Sequence, residues 1–363
     1  MFACKPDFDK VMERFEAWWR CEIVDRPPVC IRFGKPESER MSPPESDHET
    51  WRDRWMDADF QARMAQANMN NTVFYAEALP AVYPNLGPEV FSAFYGCPLE
   101  FGPSTSWSEP ILEDWSDASL AELRLDRSNV YFRKILELTD ALLEVARGQF
   151  IVGYTDLHGG GDAIAAFRDP QALLIDTIEC PDRIHLLADR ITGEFLDIYD
   201  LYHEKLSAEG MPSTTWCPVT GHGRVHIPSN DFSCMISQEC FEDLFVPGII
   251  EECRHMDHNL YHLDGPDALR YLDLLLDIPE IHAIQWVPGA GRDYWADWIE
   301  VYQRIQARGK SFQLPGVPVG DLPLLFESLN PEGVWISNLS GVRSAEEADA
   351  ALDAISKWTK KES

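Results

Sequence analysis

Asn259-Leu260-Tyr261-His262-Leu263-Asp264-Gly265-Pro266 is a short apolar run that ends in two polar groups and a Gly-Pro break. Residues two apart on a β-strand share a face, so the run predicts a strand that points the His262 imidazole and the Asp264 carboxylate the same way. Helical spacing of apolar residues over 241–255 and 267–276 places this strand inside an α/β alternation. Polar pairs at the C-terminal end of such a strand, just before the loop to the next helix, are where α/β barrels keep their chemistry. A loop-capping role for His262 and a helix-capping role for Asp264 is the structural alternative. Asp267 is already available as the cap.

Working outward, the same alternation recurs. Apolar residues at helical spacing over 7–20 predict an amphipathic N-terminal helix with Asp7 or Asp9 as cap. Strands are expected at 29–34 (ending in Arg32 and a glycine), 72–76, 150–154, within 214–229, at 259–264, at 282–288 (with Gln285 and Trp286 near its end), at 310–314 and at 333–338. Ser344 with Glu347 opens the last helix as a capping box. Eight strands with intervening helices predict a single (β/α)8 TIM barrel over residues 1–363, with an N-terminal helical extension. Residues 79–126 are crowded with Pro, Gly and aromatics and form a long insertion after the second strand, expected to act as a lid over a pocket.

Asp156 and His158 leave the third strand two apart, repeating the geometry of the central pair, and are further pocket candidates. The glycines of Gly159-Gly160-Gly161 precede a helix start. They suit either an anion facing bare backbone N–H groups or a tight strand-to-helix turn. No Gly-x-Gly-x-x-Gly or P-loop ending is present.

The chain has 363 residues, 45% of them hydrophobic, and 61 acidic against 31 basic side chains for a formal charge of -30. That charge repels phosphate backbones and anionic lipid, so nucleic acid and membrane surfaces are poor partners. No apolar stretch reaches membrane-spanning length and the first residues lack a secretory pattern, so a cytoplasmic location is expected. Nine scattered cysteines with no Cys-x-x-Cys pair argue against a disulfide framework. Cys30, Cys217 and Cys234 lie near predicted strand ends, where a ligand or nucleophile role stays open.

The N-terminal helix followed by Asp25-Arg26-Pro27-Pro28-Val29, the 74–90 stretch with Leu86-Gly87, Ser229-Asn230-Asp231 before a Ser-x-x-x-Phe helix, and a strand ending His-x-x-Gly together resemble the uroporphyrinogen decarboxylase superfamily. That superfamily also holds methylcobamide:coenzyme M methyltransferases and cobalamin-independent methionine synthases. In its methyltransferase branch a zinc site looks like His-x-Cys on the fifth strand plus a distal Cys, and the metal makes a thiolate nucleophile. Here His262 falls on the His position, Asp264 replaces the Cys, and no cysteine follows Cys253.

The resemblance implies a metal-assisted, corrinoid-linked methyltransferase or demethylase acting on a small molecule, with a corrinoid protein as a partner; the methyl donor is then a corrinoid or a small methylated molecule and the acceptor a thiol or similar group. His262 and Asp264 are then ligands of a divalent metal such as zinc, Asp264, Glu77 and Asp156 the catalytic carboxylates, and Arg32, His158, Asp231, Gln285 and Trp286 the substrate-binding groups. Glu77, Asp156, His158 or Asp231 would complete the metal's ligand set. The alternatives are a metal-free decarboxylase of a polycarboxylic acid, using Arg32, Arg224 or Arg292, and a non-catalytic barrel that binds a corrinoid or a protein.

Overall fold

In the computed structural model, which describes residues 2–359, the central run is the strand His258–Asp264. Gly265 ends it at φ 83°, a left-handed backbone that a side chain would strain. The strands that position the site are, in chain order, β1 (Cys30–Gly34), β2 (Thr72–Ala76), β3 (Ala81–Val82), β4 (Ile151–Val152), β5 (Val225–His226), β6 (His258–Asp264), β7 (Ala283–Val287), β8 (Ser311–Leu314) and β9 (Val334–Ile336). β9, β8, β7, β6 and β5 lie side by side as one parallel sheet. A parallel bridge from Val29 to Ile336 brings the start of β1 against β9, and β3 pairs with β4, also parallel. Helices follow most of these strands, and the buried apolar side chains form one contiguous core from Phe2 to Trp358.

This is an α/β fold with a parallel sheet, but its ladders do not trace the expected closed ring of eight. Among the described residues no ladder joins β4 to β5. Residues 213–217 wedge there instead: Tyr154 N donates to Thr214 O at 3.0 Å, and Val225 N to Ser213 Oγ at 3.0 Å.

The 72–76 segment is a strand but not the second parallel one. It runs antiparallel to β1, with Cys30 opposite Ala76, and the chain then turns at Ala76 (φ 53°) before β3 takes the parallel place. The insertion therefore starts after Val82. The helix expected over 241–255 is two, Gln238–Leu244 and Val246–His255, because Pro247 cannot continue the first.

The N-terminal helix α1 (Phe8–Trp19) closes the N-terminal end of the strands. Trp18 and Trp19 are buried, and their indole N–H groups donate to Gly333 O and Thr220 O, both at 2.9 Å. Each ring contributes roughly 2–3 kcal/mol by burial, and the donated hydrogen bonds remove the cost of hiding a polar N–H. Asp7 sits at the N-cap position without capping; its carboxylate pairs with Lys5 instead.

On the same face, His282 accepts a hydrogen bond at Nδ1 from the backbone N–H of Asn259 at 3.1 Å. Burial, with the nearby His258 and Lys310 charges, lowers the His282 pKa to about 4. A histidine depressed in the folded state stabilises it fully above its unfolded value of about 6.5, and that stability is lost as pH falls toward 4. Protonation also turns the Nδ1 acceptor into a donor facing Asn259 N–H. Lowering the pH from 7 to 5 should therefore cost on the order of 1 kcal/mol through this group after solvent screening. Urea midpoints at the two pH values for wild type and His282→Gln measure it; equal pH slopes in the two proteins would refute the assignment.

Candidate functional site

Strand alternation sends His262 inward from β6 and Gln285, its register partner on β7, inward beside it. Gln285 Nε2 points at Cys217 Sγ at 3.7 Å, which leaves Oε1 facing His262 Nδ1 at 2.5 Å. With the amide so oriented, Nδ1 carries the proton and Nε2 keeps its lone pair. That lone pair faces Asp231 Oδ1 at 4.0 Å, and one ligand atom each of Asp231, His262 and Asp264 lies within 4.8 Å of the others. Four ångströms is too long for a hydrogen bond but within the span of two coordination bonds of about 2.0–2.2 Å. Burial, chiefly, and the charge of His158 hold His262 below the usual imidazole value, so it is neutral near pH 7, as a ligand must be.

One further group of residues leans on Asp231. His158 Nε2 is 2.7 Å from Asp156 Oδ1, its Nδ1 is 2.6 Å from Ser229 Oγ, and Ser229 Oγ donates to Asp162 Oδ2 at 2.8 Å. Burial alone would lower the His158 pKa, but Asp156, Asp162 and Asp231 outweigh it and raise it to about 9, so this imidazole is a cation near pH 7. Asp231 is raised in turn, first by desolvation and then by Asp162 and Asp264, against the pull of His158. The half-buried Trp216 ring stands edge-on to His262, 5.3 Å away at 90°, and tilts over His158 at 6.5 Å.

The glycines before Asp162 let this group close up. A Cβ on Gly161 would lie 2.5 Å from Asn230 Nδ2, and one on Gly159 2.8 Å from Glu252 Oε1. Close approach of backbone to side chain accounts for both.

A cleft of about 390 Å³ opens over these residues. Its floor includes His158, Asp162, Asp231 and Phe232, and its other wall comes from the insertion: Pro88, Glu89, Ser92, Ser108 and Pro110. The segment after Val82 thus supplies one wall of the cleft.

Of the residues expected at the site, His262, Asp264, Asp231, Asp156 and His158 come together and Gln285 supports them. Glu77 does not join them. Because β2 runs antiparallel to β1, it ends where β1 begins, at the opposite end of the strands. Glu77 is fully buried there, with Arg14, Arg26 and Val29 N donating to its carboxylate. Trp286 is also displaced: adjacent strand residues face opposite ways, so with Gln285 inward Trp286 points into the helix layer, fully buried, 5.1 Å from the Trp298 ring. Arg32 points inward from β1 near Cys30 and Cys217, whose thiols it draws down against the burial that raises both, and it does not line the cleft. Asp162, Ser229 and Trp216 were not singled out by the sequence; the step of two from Ser229 to Asp231, repeating that of Asp156 and His158, was the available signal.

Gln285→Leu removes the acceptor that fixes the His262 tautomer while nearly keeping the side-chain volume. Divalent-metal affinity is expected to fall about 10–100-fold, as for lost orienting partners of metal-bound histidines. Zinc titration against a competing chelator measures it, and unchanged affinity would remove Gln285 from this role.

No family model and no curated protein matches the sequence. Among solved structures, a methyltransferase from Methanosarcina mazei has a similar fold: TM-score 0.60, 13% sequence identity, covering 95% of this chain and 97% of that one. The two chains share a fold over nearly their whole lengths. No helix among the described residues is long and apolar enough to cross a membrane.

Proposed function

We propose that this chain is a methyltransferase or demethylase of the uroporphyrinogen decarboxylase-like barrel type, acting on a small molecule in the cleft. His262, Asp264 and Asp231 would hold a divalent metal, and a corrinoid protein would accept the methyl group. The observation that carries the proposal is the bare His262 Nε2 facing Asp231 and Asp264 beside the cleft that Asp231 lines. One imidazole and two carboxylates suit zinc or a harder divalent ion. When bound, such a metal polarises a substrate oxygen or lowers the pKa of a bound water or thiol.

The chain's own groups would do the rest. The insertion would wall one side of the cleft beside His158 and Asp231. Asp156 and the Ser229–Asp162 pair hold the His158 proton at a fixed place beside the cleft. Gln285 keeps His262 in one tautomer. The whole-length fold likeness to a methyltransferase supports this class. A polycarboxylate decarboxylase is less well supported, because among the described residues the cleft lining holds aspartates and a glutamate but no arginine or lysine.

The test is metal analysis of protein purified without chelators, followed by methyl transfer from small methylated donors to a reduced corrinoid. Stoichiometric metal and methylated corrinoid are expected. Metal-free protein that decarboxylates uroporphyrinogen would overturn the proposal.

A further inference from the structure

Resting on the reading of this cleft as the substrate site, we propose that its substrate carries a quaternary methylammonium group. Two independent features point there. The first is charge: Glu89, Asp162, Asp169 and Asp231 line the cleft, Asp156 and Asp264 stand near Asp231, and among the described residues His158 is the one cationic side chain in the lining. Even with a divalent ion bound and His158 protonated, carboxylates remain in excess. An anionic substrate would be repelled and a cation drawn in.

The second feature is the character of the surfaces. Among the acids the lining is largely apolar, with Pro88, Pro110, Ala163, Ala166, Phe232 and Met235 offering methyl-sized contacts and the Ser92 and Ser108 hydroxyls as the polar exceptions. Trp216, half-buried, stands beside the cleft with its ring against His158 and His262. Several of the acids are already engaged by protein donors: Asp162 by Ser229 and Phe232 N, Glu89 by Ser108 N, and Asp169 by Gln171 N and Ala172 N. They keep their charge, and in each at least one oxygen already accepts from the protein. A site with a negative field, a largely apolar lining and an indole beside it fits a cation that presents methyl groups rather than N–H bonds to its surroundings.

The chemistry balances with the acceptor already proposed. The C–N bond breaks with both electrons staying on nitrogen, so the substrate leaves as a neutral tertiary amine. The methyl group, formally a cation, takes an electron pair from the reduced corrinoid. No proton is consumed.

The test is calorimetric titration of the full chain with choline, with dimethylbutanol as its uncharged carbon isostere, and with acetate, at low and high salt. Choline is expected to bind at least about tenfold tighter than the isostere, with affinity falling as salt rises, and acetate not to bind. Trp216→Leu should weaken choline about tenfold and Trp216→Phe should restore much of it. Equal affinity for choline and its isostere, or tighter binding of acetate, overturns the inference, and this comparison on wild type decides even if the Leu variant misfolds. Metal content of the same preparations separates the two proposals: choline selectivity in protein that takes up no metal keeps this inference and removes the metal-dependent function.

Discussion

His262→Ala is expected to lose divalent-metal binding by roughly 10²–10³-fold, with Asp264→Ala close behind, because each removes one of three ligands whose summed binding free energy is on the order of 10 kcal/mol. The imidazole should matter most. Its Nε2 is bare and fixed by Gln285, whereas Asp231 is about half exposed and must settle onto the ion. Corrinoid-dependent methyl transfer, where the wild type has it, should fall in parallel with metal occupancy. Folding should change little, since His262 retains some solvent contact and its Nδ1 bond is the one side-chain hydrogen bond lost. Equilibrium dialysis with zinc, alongside urea midpoints, checks both parts. A variant that binds metal like wild type would remove His262 from the ligand set.

The central pair could be read from the sequence because two rules act locally: alternation puts His262 and Asp264 on one face, and a Gly-Pro break ends the strand beneath them. Asp156 and His158 followed by the same rule. What the sequence could not supply was pairing. Residues 72–76 have the composition of a strand, but composition does not say parallel or antiparallel; that choice carried Glu77 from the mouth to the opposite end. The phase of alternation was also open at 282–288, where Gln285 and Trp286 cannot both face inward, and only the register with β6 decides. The 214–222 stretch resisted reading for a physical reason. It enters no ladder and is held by scattered bonds such as Thr215 Oγ1 to Tyr154 O, so it has no period to detect. Trp216 lies on that stretch, which is why no periodic signal placed it at the site, whereas Asp162 was passed over although it lies in a regular helix.

Glu77→Ala is expected to destabilise the fold by about 3–5 kcal/mol, the cost of leaving buried charge uncompensated. Arg14 Nη1 donates to Oε1 at 2.7 Å, Arg26 donates to both oxygens at 2.5 and 3.0 Å, and Val29 N donates to Oε2 at 2.8 Å, all around a carboxylate with no solvent exposure. Arg14 would keep its paired bonds to Asp25, at 2.7 Å each, but Arg26, 7% exposed, would keep only Pro27 O. The Val29 N–H would lose its side-chain acceptor as well. The cluster ties α1, the Asp25-Arg26-Pro27-Pro28 turn and the start of β1 together, so its loss should loosen the N-terminal end of the strands first. Glu77→Gln should cost less, because an amide oxygen still accepts from Arg26 or Val29 N while the charge is gone. Urea denaturation of the three proteins gives the order wild type, Gln, Ala. Metal binding at His262 should be unchanged in whatever fraction stays folded, since the cluster lies at the far end of the strands. If Glu77→Ala instead kept wild-type stability and lost methyl transfer, Glu77 would act in catalysis and its place in a structural ion cluster would be wrong.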